Sequence, residues 1–130
     1  MKLAMGYDVT HLQEVRGNLT QMNHFFNRFK SSHWMVFNPH AHDGSGGTVS
    51  LYKKVTFASA KPRQLILVKG RVAFAWFTFG RRSGRSATFG NVHDFVFSLA
   101  DWMRTGRFIG ACRESSGLAD ESLFMDFWGL

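Results

Sequence analysis

Between Gln64 and Phe79 the chain carries two apolar runs, "QLILV" and "RVAFAWFTF", separated only by Lys69-Gly70. Neither run alternates polar with apolar residues, so strands built from them need cover on both faces. Lys69-Gly70 is short enough for a tight hairpin turn, which makes the two predicted strands antiparallel neighbours. They are central strands, and the rest of the chain has to supply the layers on either side.

Several segments offer to do so. "HWMVF" (33–37) reads as a short strand, "TVSLYKKVTFA" (48–58) as a half-buried strand and "RSATF" (85–89) as another. Thr10 to Lys30 reads as an amphipathic helix. Thr10 and Gln13 have capping-box spacing, and Leu12, Val15, Leu19, Met22, Phe25, Phe26 and Phe29 follow at helical intervals. A second helix is predicted with Asn91 as its cap, Asp94 in the first turn and Gly106 at its end. Its apolar stripe would be Val92, Phe95, Val96, Leu99, Trp102 and Met103. A short helical tail from about Ala119 to Trp128 closes the chain. The expected fold is α+β: an N-terminal amphipathic helix, an antiparallel sheet of four to five strands, and a C-terminal helix plus short helical tail.

At 130 residues this is one expected domain, 1–130, with 45% apolar and 19% charged residues, a composition of ordered proteins. Fourteen Phe against two Tyr implies that most rings are buried in a core or an interface. Cys112 is the single cysteine, so no intramolecular disulfide and no cysteine-based metal site can form. "MKLAMGYDVT" lacks the pattern of a signal peptide, and no apolar run reaches the length of a membrane span. The expectation is a cytoplasmic protein without membrane contact.

Charge is unevenly distributed. The net charge is +7, and no acidic residue occurs from Gly44 to His93. That stretch holds Lys53, Lys54, Lys61, Arg63, Lys69, Arg71, Arg81, Arg82 and Arg85. An acid-free basic middle invites a polyanion, and nucleic acid is the leading candidate. "FGRRSGRSATFG" (79–90) is its apex, so Arg81, Arg82 and Arg85 are expected to contact phosphates, with Arg71, Lys69, Arg63 and Lys61 as secondary contributors. The same residues have a plainer use, since hairpin ends and edge strands carry Lys and Arg for solubility and to discourage edge pairing.

Signals for catalysis are weak. His33, His40, His42 and Asp43 have ligand chemistry within eleven positions, but no paired spacing elsewhere completes a metal site. "DGSGG" (43–47) lacks the ending of a phosphate loop, and Ser45 lacks the context of a nucleophile elbow. No catalytic constellation is recognisable and no cofactor is expected. Two alternatives to nucleic-acid binding remain. One is a homodimeric assembly module using Phe124, Met125, Phe127 and Trp128 of the tail. The other is a small-ligand protein with an apolar pocket lined by Phe74, Trp76 and the first helix.

Overall fold

A computed structural model describes residues 6–40, 44–57, 61–79, 85–93 and 98–114, with only the backbone of Phe79, Arg85, Arg113 and Glu114. The strands are β1 (Val9–Gln13), β2 (His33–Asn38), β3 (Thr48–Lys53), β4 (Arg63–Val68), β5 (Val72–Phe79) and β6 (Arg85–Val92). The helices are α1 (Leu19–Phe25), followed by a 3₁₀ turn (Asn27–Phe29), and α2 (Leu99–Glu114). The strands form two antiparallel three-stranded sheets, ordered β1-β3-β2 and β4-β5-β6.

The period-two alternation of β3 and β5 sets the layers. On β3, Val49 and Leu51 pack with Met22, Phe26 and Phe29 of the α1 region, whereas Tyr52 packs with Ala73, Ala75 and Phe77 of the second sheet. On β5, the opposite face turns Val72, Phe74 and Trp76 towards Leu65, Leu67 and Phe108 of α2. The order of layers is therefore α1, first sheet, second sheet, α2. Ala73 and Ala75 keep the space between the sheets narrow, and Phe57, Phe77, Tyr52 and Phe89 fill its wider end, with Phe57 and Phe77 stacked at 4.5 Å. This arrangement is why both apolar runs of the β4–β5 hairpin can be buried. Its turn is closed by Arg71 N donating to Val68 O at 3.0 Å, with Gly70 at φ +72°.

The α+β class stands, but its arrangement differs from the expectation: six described strands in two sheets replace one sheet of four to five. The N-terminal helix from Thr10 is also corrected. Thr10 pairs with Leu51 and Gln13 with Thr48 in β1. Glu14 then takes a left-handed φ of +55°, and the real capping box is Asn18 with Gln21, each backbone N–H bonding the other's side chain at 2.9 Å. The second helix likewise starts later. Ser98 and Asp101 cap it reciprocally at 3.1 Å, Asn91 lies buried in β6, and Gly106 is inside the helix rather than at its end. Leu99, Trp102 and Met103 face outwards, 76%, 52% and 57% exposed, while Thr105 and Phe108 face the sheet. The predicted tail helix (119–128) lies outside the described residues.

Polar side chains stitch the sheets together at the end where β2, β4, β1 and β6 finish. On one edge, Asn38 Nδ2 donates to Val68 O at 3.0 Å and Asn38 Oδ1 accepts from Gly70 N at 2.7 Å. On the other edge, Asn91 Nδ2 reaches Leu12 O, Val49 O and Ser50 Oγ at 3.2–3.4 Å, while Gln13 Nε2 donates to Asn91 Oδ1 and Val92 O. Buried amides left without such partners would each cost about 1–3 kcal/mol.

Candidate nucleic-acid interface

The stitched end fixes which residues collect at the opposite end. Register places Lys53 opposite His33 in the first sheet, and Arg63 opposite Trp76 with Arg85 opposite Phe79 in the second. These residues, with Lys61 just before β4, share the end away from the Asn38 and Asn91 bonds. There the edges of β2 and β4 border a groove of about 370 Å³ lined by Lys30, Lys54, Lys61, Trp34, Phe37 and Gln64, among others. Among the described residues, none that line it is acidic. Lys54 Nζ donates to Lys30 O at 2.9 Å and sits 4.5 Å from the centre of the Trp34 ring. That arrangement holds the ammonium over an aromatic face without neutralising it. Lys30 and Lys61 are exposed.

The seven residues singled out from sequence therefore separate. Lys61 and Arg63 belong to the groove end, and Arg85 begins β6 at that same end. Arg81 and Arg82 lie outside the described residues. Lys69 is in the hairpin turn at the other end of β4, roughly 20 Å away for a six-residue strand. Lys30 and Trp34 were missed because they precede the stretch that begins at Gly44, and only the β2–β4 edge brings them to Lys61.

Arg71 has a different place, and its expected role as a phosphate contact is corrected. It is only 6% exposed. Its Nη1 donates to Glu14 Oε1 at 3.2 Å and to His93 Nδ1 at 3.1 Å, and its Nη2 donates to Ser45 Oγ at 2.8 Å. His93 Nδ1 also lies 3.3 Å from Glu14 Oε1, so the three side chains meet at one point. Gly46 and Gly47, with φ of +80° and +96°, allow the loop to lie against this cluster. A Cβ on Gly46 would stand 2.9 Å from Arg71 Nη1. Partial desolvation opposes ionisation of Glu14, but the Arg71 hydrogen bond, the nearby His93 and Arg71, and the Gly46 N–H together hold its carboxyl below the usual range. The cluster ties the end of β1, the glycine loop, the hairpin turn and β6 into one clasp.

The remaining candidates resolve as follows. His33 is buried, with Nδ1 2.7 Å from Ser32 Oγ and its ring edge-on to Phe29. His42 and Asp43 lie outside the described residues, and among those described no three His, Cys, Asp or Glu side chains group as metal ligands. Phe74 and Trp76 are buried in the core between the second sheet and α2. An apolar hollow of about 610 Å³ lies instead beside α1, against Val15, Met22, Phe25 and Phe26. Burial pushes the Cys112 thiol up to about 11, the opposite of an activated nucleophile. Among the described residues no helix is long and apolar enough to cross a membrane.

Comparison with protein-family models, curated proteins and solved structures finds no match.

Proposed function

We propose that this protein binds nucleic acid through its phosphate backbone, at the end of the sandwich away from the Asn38 and Asn91 bonds. The observation that carries the reading is the groove at the β2–β4 edge, where Lys30, Lys54 and Lys61 meet without a carboxylate among the described lining residues. By register, the starts of β4 at Arg63 and of β6 at Arg85 lie at this same end. Cations gathered from separate segments raise the local potential and favour a polyanion more than scattered edge charges do. No described helix carries this charge, so readout of base sequence is not implied.

The test is a titration with short DNA and RNA at two salt concentrations. It compares the unmodified protein with Lys30/Lys54/Lys61→Ala and Arg81/Arg82/Arg85→Ala variants. The salt dependence of log K is expected to become shallower by about 0.7 for each phosphate of a single strand that the variant no longer neutralises. Lys69→Ala, at the other end, should leave the slope unchanged. Absence of binding at low salt would sink the reading.

A second reading, self-association, is favoured by the outward stripe of Leu99, Trp102 and Met103 on α2. It predicts a solution mass that rises with protein concentration and falls in a Trp102→Glu variant.

A further inference from the structure

The groove has two chemistries side by side. At the β2 edge its lining is apolar, with Trp34 on the side of the second sheet and Met35 and Phe37 on the side of α1, and Leu19 at the start of α1 adds an exposed apolar face. The cations come from three other places: Lys30 after the 3₁₀ turn, Lys54 after β3 and Lys61 before β4. Lys54 Nζ lies over the Trp34 ring, so one ammonium and one aromatic surface are within a few ångströms of each other.

We infer that this groove takes single-stranded nucleic acid in preference to duplex. The inference rests on the nucleic-acid reading above and narrows it. A single strand presents unstacked bases on one side and phosphates on the other, matching an apolar wall beside lysines. A duplex keeps its bases stacked inside and presents phosphates outwards, so it engages the lysines and leaves the wall uncovered. Each base placed against an aromatic surface adds enough to separate the two forms by about tenfold or more. Charge decides against an apolar peptide, because the groove has several cations and no anion among its described lining residues.

The experiment measures binding of fluorescently labelled oligo-dT of about 15 nucleotides and of a duplex of equal length at one salt concentration. The proteins are the unmodified chain, the lysine triple variant and Leu19→Glu. Leu19 is half exposed, and a carboxylate in the first turn of α1 favours the helix, so this variant places a negative charge in the groove without opening the core. Circular dichroism checks that each variant is folded. The expected result is about tenfold tighter binding of the single strand, with that preference lost in Leu19→Glu. Equal affinity for strand and duplex, both weakened by the lysine variant, overturns the single-strand inference and leaves the nucleic-acid reading intact. No binding of either form overturns both. Poly-glutamate competing as effectively as oligo-dT also overturns the inference, since charge alone would then account for it.

Discussion

Arg71 Nη1 lies 3.2 Å from Glu14 Oε1, linking residues 57 positions apart at the point where β1 ends and the β4–β5 hairpin turns. The guanidinium is buried and its partner is half exposed, so the arginine carries the larger desolvation cost and depends on the pairing. Arg71→Ala should destabilise the fold by about 2–3 kcal/mol, read from urea denaturation midpoints. Arg71→Lys should recover only part of this, because a single ammonium nitrogen cannot reach Glu14, His93 and Ser45 as the two guanidinium nitrogens do. Full recovery by lysine would show that charge, not the planar fork, holds the clasp.

The same pair sets a pH dependence. The Glu14 carboxyl is lowered in the fold from its ordinary 4.5, so its contribution is complete above 4.5 and is lost as pH falls through the folded value. Denaturation midpoints should therefore fall on acidification below that ordinary value, and less steeply in Glu14→Gln. Parallel acid limbs in the two proteins would assign the loss to other carboxylates.

Two glycines should respond to alanine with opposite signs. At Gly47 a Cβ would lie 2.1 Å from Val15 O, with φ at +96°, and Gly47→Ala should cost about 3 kcal/mol or more. At Gly106 a Cβ meets nothing within 4 Å and the backbone is helical, so Gly106→Ala should stabilise by about 1 kcal/mol. Thermal midpoints of the two variants measure both effects.

Asn91 distinguishes a hydrogen-bond donor from mere bulk. Its Nδ2 faces Leu12 O, Val49 O and Ser50 Oγ. Asn91→Ala should cost about 2 kcal/mol through the acceptors it leaves buried. Asn91→Asp should cost more, because a carboxylate of nearly equal size turns a donor towards carbonyl oxygens into an acceptor. Equal losses in chemical denaturation would mean that packing, not the amide's donor, is what matters at this position.

The central hairpin was legible because two apolar runs around Lys69-Gly70 admit few other arrangements. The N-terminal segment has helical spacing without being one helix. Leu12, Val15, Met22, Phe26 and Phe29 do join one cluster, as the helical spacing required, yet a strand, a loop and a short helix bring them there. Nothing local announces that Glu14 adopts a left-handed backbone, since the partners stabilising it come from Arg71 and the glycine loop. Helix α2 misled for the converse reason. Its more apolar side faces outwards, while the second sheet already provides Phe74, Trp76, Leu65 and Leu67 and needs little beyond Phe108. The basic segment was visible as charge, but its division between two ends, and its meeting with Lys30 and Trp34, depends on how two sheet edges lie together.

The strand orders also bear on how the chain assembles. In β4-β5-β6 every pairing joins consecutive strands, whereas β1 must find β3 with β2 lying between them in sequence, as His11 meets Ser50 across 39 positions. Loop-closure entropy favours the local meander, which makes residues 63–92 the natural nucleus and the first sheet a later arrival on its preformed surface. The Glu14–Arg71 pairing then belongs to the final closure, so breaking it should accelerate unfolding far more than it slows refolding.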